Sequence, residues 1–299
     1  GYCDCSCSSD ALYLRKCLPK AQVDVYLETL PAEREKNIPG ADTILHTVPE
    51  DEARYDAFIL LDSVPGRTGD AEKLYQEAAL TINIDHHISN PGSGDVNYID
   101  AAASSASELV FNVIDHDAID KEIAQALYVG MVTDTGVFQY SSTGESTMRA
   151  AGHLMSYGFD FTAVIREVFF ERTALQAKML GEAFVRAELS MNGKCMFSIL
   201  DKALLDRYDA TRQDLDGISA QLALTKGIDC AVFLHEDAPG VWRASMRSVK
   251  IVNVAALASR FQGGGHIRAA GCTITSDLEE AVRLLKYDIA LQRKDAGAL

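Results

Sequence analysis

The string Leu80-Thr81-Ile82-Asn83-Ile84 runs directly into Asp85-His86-His87. A strand-forming run that ends on a carboxylate and two imidazoles constrains the fold more than any other stretch of the chain. Strand interiors favour apolar and β-branched side chains, so charged groups are costly inside them. Open α/β sheets resolve the conflict by carrying their chemistry at the carboxyl ends of the strands. Asp85, His86 and His87 are therefore expected at a sheet mouth, as metal ligands or acid-base groups.

The flanking sequence supports such a sheet. Residues 23–27, 43–45 and 57–61 read as strands, and the last of these ends at Asp62. Leu109, Val110, Val113 and Ile114 form a helical stripe over residues 106–114. A second helix over residues 123–132 runs up to Asp134, and a third over 145–157 stops at Gly158. Strands alternating with helices predict an α/β fold with a parallel sheet and helices on both faces. From residue 161 to 188 the pattern stays helical, with no Pro and one Gly, which predicts one long helix. The second half is smaller. It has expected strands at 195–200, 229–235 and 242–246, the last running into Arg247, and expected helices at 214–224 and 252–261. The predicted organisation is a parallel-sheet domain (1–160), a connecting helix (161–190) and a smaller α/β domain (191–299).

Length and composition agree with two domains. The chain has 299 residues, and its 47% hydrophobic content suits globular cores. No apolar run reaches the roughly 18–20 residues that span a bilayer, and no signal-peptide pattern opens the sequence, so no membrane partner is expected. The formal charge of −15 disfavours long nucleic acid, whose binding needs many Lys and Arg contacts to phosphate. It allows a short anionic substrate held by a metal and a few arginines. Seven cysteines, with Cys17, Cys195, Cys230 and Cys272 scattered, point to thiols in a reducing cytoplasm. Cys3, Cys5 and Cys7 alternate, but they lack the two-residue spacing and partner cluster of a soft-metal site.

Four positions carry the metal chemistry: Asp62, the Asp85-His86-His87 string, Asp134 in Thr133-Asp134-Thr135-Gly136, and Asp4. Oxygen and imidazole ligands without thiolate suit Mn²⁺, and Mg²⁺ less well. A carboxylate bridging two ions would give a centre for in-line phosphoryl displacement. A lone Asp after a strand is ordinarily a turn residue or helix cap, so the consecutive histidines carry most of this reading. His46, His116, His153 and His235 have no such setting and read as structural or surface residues. Near the C-terminus, Gly263-Gly264-Gly265 precedes His266. Glycines there let backbone N–H groups approach an anion, with Arg247, His266 and Arg268 to hold a phosphate or stack on a base.

These residues, in this order, resemble the DHH phosphoesterase family, and within it the stand-alone branch of nano-RNases and 3′-phosphoadenosine-5′-phosphate phosphatases. The resemblance covers nearly the whole chain. It implies that Asp62, in Leu61-Asp62-Ser63 with Arg67 following, is the bridging metal ligand. Asp85-His86-His87 matches the naming motif, with His86 on the metal and Asp85 and His87 orienting the site and assisting the leaving group. Asp134, followed by Phe138, Tyr140 and Thr143, matches the fourth motif and supplies a further ligand. Ser104-Ser105-Ala106-Ser107-Glu108 resembles the family's Ser-rich helix start. Arg247-Ser248 and Gly264-Gly265-His266 resemble the substrate-binding DHH-associated domain, a motif that the family's inorganic pyrophosphatases lack. The first motif departs from the pattern. Asp4 aligns with the second Asp of Asp-x-Asp, Ser8-Ser9 with its serines and Ala11-Leu12 with its Ala-Leu. Tyr2 stands in place of the first Asp and Cys7 in place of a Gly, and the family's His would precede Gly1. The resemblance implies two Mn²⁺ ions, yet the second has few ligands in the sequence as it stands.

The implied activity is hydrolysis of di- to penta-nucleotides and pApA to 5′-mononucleotides, or of pAp to AMP. Arg67, Ser104, Ser105, Arg247, Gly264, Gly265, His266 and Arg268 are the implied substrate contacts. A cyclic dinucleotide phosphodiesterase, an exopolyphosphatase and a catalytically impaired nucleotide-binding protein are the alternatives. A homodimer is left open.

Overall fold

The computed structural model describes residues 3–27, 38–48 and 55–297, and the side chains from residue 7 onward within these. The chain divides into two compact units, Gly1–Glu171 and Arg172–Leu299.

The first unit contains α1 (Cys3–Cys17), β1 (Val25–Tyr26), β2 (Ile44–Leu45), β3 (Ala57–Leu61), α2 (Glu72–Glu77), β4 (Leu80–Asp85), β5 (Val96–Ile99), α3 (Ala106–Val113), α4 (Lys121–Asp134), α5 (Glu145–Met155) and α6 (Phe161–Ile165). Strands β3, β4 and β5 form a parallel sheet in that order, with Leu61 opposite Ile84 and Asp85 opposite Ile99. Strands β1 and β2 pair in parallel as a separate ribbon. Asp62 and His86 thus leave neighbouring strands at the same carboxyl edge. Helix α4 is the centre of the core. Ile123, Leu127, Met131 and Val132 are buried within it, and the Asp120 side chain caps its start through the backbone N–H groups of Glu122 and Ile123. This rigid helix delivers Asp134 at its last position.

The single long helix expected over 161–190 is not formed. Helix α6 ends in a π-helical turn at Arg166–Phe170, and Glu171 turns extended. A new helix, α7 (Ala174–Val185), begins in the second unit behind a capping box, in which Thr173 and Gln176 each bond the other's backbone N–H. Ser/Thr-x-x-Gln is a helix-start signal, and here it overrides a continuous apolar pattern.

The second unit continues with β6 (Glu188–Ser190), β7 (Cys195–Leu200), α8 (Lys202–Arg207), α9 (Ile218–Ala223), β8 (Cys230–Ala238), β9 (Val241–Ser248), α10 (Val254–Ser259), β10 (Gly264–His266), β11 (Ala269–Thr275) and α11 (Leu278–Asp295). Its six-stranded sheet has the order β10-β11-β9-β8-β7-β6, with β7 and β8 parallel and the other pairs antiparallel. The helix expected over 214–224 is interrupted at Gly217, whose φ of 79° belongs to the left-handed region. Helix α11 has Ala281, Leu285 and Ile289 in the core and is pinned by a buried pair, Arg293 Nη1 to Asp229 Oδ2 at 3.0 Å. Among the described residues, no helix is long and apolar enough to cross a membrane.

Candidate metal centre

The last residue of β4, Asp85, is almost wholly buried. An ionised carboxylate there must be bonded, and it is. Its Oδ1 accepts from the His87 backbone N–H at 3.0 Å and faces His87 Nδ1 at 2.7 Å, while Asn90 Nδ2 donates to Oδ2 at 2.5 Å. Burial alone would raise the pKa of Asp85, but these bonds hold it below the usual range. The Asp85 bond in turn raises that of His87, against the opposing effect of burial.

Asn90 is buried too. Its amide also donates to Asn83 Oδ1 at 2.9 Å and to the Ser63 carbonyl at 3.2 Å. Asn83 Nδ2 donates to the Leu60 and Ser63 carbonyls, both at 3.2 Å. The two amides therefore tie the end of β4 to the chain around Asp62. A polar residue between Ile82 and Ile84 in a buried strand is the sequence signal for this brace.

Asp62 follows β3 with a φ of 54°, a conformation that is uncommon for a non-glycine residue and concentrates at functional sites. Its backbone N–H bonds the Ile84 carbonyl at 3.0 Å. The buried Oδ1 accepts no well-formed hydrogen bond, although His86 Nε2 stands 3.2 Å away and His87 Nδ1 3.4 Å. His86 Nε2 also lies 4.0 Å from Asp134 Oδ2. Burial opposes protonation of His86, but Asp62 and Asp134 and a ring bond to the Ala103 backbone raise its pKa. The carboxyl of Asp134 is pushed up to about 7, first by burial and then by the negative charge of Asp62. Two crowded carboxylates, an orphaned oxygen and facing imidazoles are the arrangement that a divalent cation relieves. Ligand atoms from Asp62, Asp85, His86 and His87 all lie within 4.8 Å of one another. The set is hard oxygen plus imidazole, without sulfur, and it fits a divalent metal ion.

The remaining expected residues fall elsewhere. The Asp4 side chain lies outside the described residues, though its backbone belongs to α1. Arg67 is exposed in a 3₁₀ turn five residues after Asp62. Ser104 and Ser105 are buried at the start of α3. Ser105 caps the helix through the Glu108 backbone N–H, and Ser104 donates from its N–H and its hydroxyl to Glu108 Oε2, at 3.0 and 2.6 Å. Thr147 Oγ1 donates to the same oxygen at 2.8 Å. Glu108, which sequence reasoning did not single out as a site residue, is the hub that holds this turn.

In the second unit, Arg247 of β9 pairs in register with Ala269 of β11, and His266 pairs with the same Ala269 from the other side. Arg268 is committed locally, donating to Ser248 Oγ at 3.1 Å and the Val252 carbonyl at 3.2 Å. Gly264–His266 form a short strand at the edge of the sheet. A Cβ on Gly263 would lie 2.3 Å from the Gly271 carbonyl oxygen, and one on Gly265 would lie 2.4 Å from that of Ala269. These two glycines allow β10 to lie close against β11. Gly264 has open space around its Cα.

Residues 2–131 match the N-terminal domain of the DHH family, and residues 192–290 match the DHHA1 domain. The probable bifunctional oligoribonuclease and PAP phosphatase NrnA of Streptococcus mutans is 30% identical over 217 residues, covering 72% of this chain and 69% of that protein. The chain belongs to the DHH family. The bifunctional oligoribonuclease and PAP phosphatase NrnA of Bacillus subtilis is 29% identical to this DHH chain over 275 residues, or 88% of the chain and 85% of that protein. The crystal structure of an exopolyphosphatase-related protein from Bacteroides fragilis superposes with a TM-score of 0.85 at 25% identity, covering 96% of this chain and 88% of that one.

Proposed function

We propose that this DHH-family chain is a metal-dependent phosphoesterase that cleaves di- to penta-ribonucleotides and pApA to 5′-mononucleotides, and pAp to AMP. The observation that carries the reading is the convergence of Asp62, Asp85, His86 and His87 at the ends of two adjacent parallel strands, with Asp134 facing His86. The resemblance to two oligoribonuclease and PAP phosphatase proteins along most of the chain selects the substrate class.

Asp62, His86 and Asp134, joined by Asp4, would hold Mn²⁺, with Mg²⁺ as the weaker substitute. The ion would polarise the phosphoryl oxygens and make a nucleophile of water at neutral pH. Asp85 fixes the His87 ring through Nδ1 and favours its protonated form. His87 is then the group that gives a proton to the leaving oxygen. Asn83 and Asn90 keep Asp85 and the Ser63 turn in place. Arg67, Arg247, His266 and Arg268 are the donors that would meet substrate phosphates, and Gly264 and Gly265 would present backbone beside His266. Ser104 and Ser105 support the site through α3. A second ion is part of this proposal and depends on Asp4. A cytoplasmic setting goes with it, and the scattered thiols of Cys17, Cys195, Cys230 and Cys272, held outside any disulfide, support that setting.

Hydrolysis of pApA, a short RNA ladder, pAp and cyclic di-AMP, compared side by side with Mn²⁺ by chromatography, tests the reading. AMP release from pApA and the shortest RNAs, abolished by His86→Ala, is the expected result. Preferred turnover of cyclic di-AMP would move the assignment to a cyclic dinucleotide phosphodiesterase. Binding without turnover of any of them would make the chain a nucleotide-binding protein.

A further inference from the structure

Two residues after Asp134 the backbone enters a conformation that L-residues avoid. Gly136, Val137 and Phe138 have φ values of 56°, 59° and 60° in succession. For the β-branched Val137 this is a marked outlier, and strain of this kind persists only where the surroundings enforce it. Here they do. The Thr135 carbonyl accepts from the N–H groups of both Gln139 and Tyr140, at 2.9 and 3.0 Å. The Val137 N–H bonds the Val132 carbonyl at 2.9 Å, and the Phe138 N–H bonds Thr135 Oγ1 at 3.0 Å. Val137 and Phe138 turn inward, with the Phe138 ring 6.1 Å from that of Tyr128.

The turn sends Tyr140 the other way. Its ring lies over Gly136, where an added Cβ would come within 2.5 Å of it, yet the residue remains 60% exposed. An aromatic side chain is thus held in solvent by a strained turn, over a glycine that lies two residues after the Asp134 carboxylate. The charge of the chain adds a second argument. With a net charge of −15, the chain has few cations to spare for phosphate contacts beyond Arg67, Arg247, Arg268 and the metal. A base stacked on an aromatic face adds affinity without needing positive charge.

We propose that the exposed face of Tyr140 is a nucleobase-stacking subsite, which holds the base of the nucleotide whose phosphate lies at the metal cluster. The proposal rests on the phosphoesterase reading for its substrate and names a contact that this reading does not require. Stacking is tolerant of base identity, so the subsite would accept purines and, more weakly, pyrimidines.

The test compares AMP with ribose 5-phosphate, which differ only in the base, by calorimetry on the Mn²⁺-loaded protein. AMP is expected to bind about 10-fold more tightly. Tyr140→Leu should erase that preference, and Tyr140→Phe and Tyr140→Trp should keep it. With pApA as substrate, Tyr140→Leu should raise KM about 10-fold and change kcat much less, since stacking is uniform binding. A purely structural role would instead lower the thermal midpoint of Tyr140→Leu and weaken both ligands alike. The proposal is overturned if wild type does not distinguish AMP from ribose 5-phosphate or binds neither. It is also overturned if the preference survives Tyr140→Leu, or if Tyr140→Phe loses it and so assigns the effect to the hydroxyl. Failure to turn over pApA while AMP binding still depends on the ring would refute the activity and leave the subsite standing.

Discussion

At the end of β4 the polar side chains are buried and bonded to one another, whereas around β10 they stand on an exposed edge strand. Asp85, Asn90 and Asn83 form a continuous chain of hydrogen bonds that reaches the Ser63 carbonyl. His266 and Gly264 lie on the outermost strand of the second sheet, and Arg268 is tied back to Ser248 and Val252. The first region has a shape fixed by electrostatics and the second a shape fixed by backbone sterics. Preorganised charge is what a phosphoryl-transfer site requires.

The largest expected effect falls on the first region. His86→Ala should lower hydrolysis of pApA about 10³-fold or more, because the metal's contribution is several kcal/mol and each 1.36 kcal/mol is a factor of ten. The same variant should weaken Mn²⁺ binding in a direct titration. Retained Mn²⁺ affinity would show that Asp62 and Asp134 suffice, and that His86 is only a neighbour of the ion.

In the second region the two glycines should separate. Gly265→Ala forces a side chain into a φ of 142° and against the Ala269 carbonyl, and should cost roughly 2–4 kcal/mol in urea denaturation. Gly264→Ala meets nothing and should change stability by less than about 1 kcal/mol. If Gly264→Ala keeps its stability but raises KM, the edge strand offers its backbone to substrate. If KM is unchanged too, the string serves the packing of β10 alone.

The contrast also explains what could be read from the sequence. Asp85, His86 and His87 are contiguous and end a strand, so their proximity follows from covalent order and the sheet rule. Asp62 joins them because β3 and β4 are neighbours with Leu61 opposite Ile84. The role of Glu108 was not legible, because its partners Ser104 and Thr147 meet only after α3 and α5 have packed. The pairing of the glycine string with β11 is hidden in the sequence for a related reason. Glycine composition reports that a side chain is excluded, and only the structure shows that strand β11 excludes it. The break at Glu171–Thr173 was visible as Thr173-x-x-Gln176, but it was outweighed by a hydrophobic pattern that two successive helices share.

Glu108 offers a smaller test, with a defined sign in pH. Burial favours its neutral form, yet bonds from the side chains of Ser104 and Ser146 and from the Ser104 N–H and Thr147 hold its pKa below 4.5. Because the folded pKa is the lower one, the ionised form stabilises the fold. That contribution is complete above the unfolded pKa and is lost as pH falls through the folded value. Glu108→Gln should cost roughly 2 kcal/mol at pH 7, and the gap from wild type should begin to narrow once pH falls below the ordinary glutamate value of about 4.3. A gap that stays constant down to pH 3 would mean that the carboxylate charge does not matter to α3.

The smallest effect should confine itself to one unit. Thr173→Ala removes the side-chain oxygen that accepts from the Gln176 N–H at 3.1 Å, and a lost N-cap costs about 1 kcal/mol. Because α7 belongs to the second unit and the metal cluster to the first, the variant should lower the stability of the sheet that carries Arg247 and His266 while Mn²⁺ affinity stays the same. Hydrogen exchange of the β7 and β8 amides reads the first change, and a Mn²⁺ titration reads the second. Equal loss of protection in β3 and β4 would show that the two units unfold as one, and that the chemistry at the first sheet is coupled to the packing of the second.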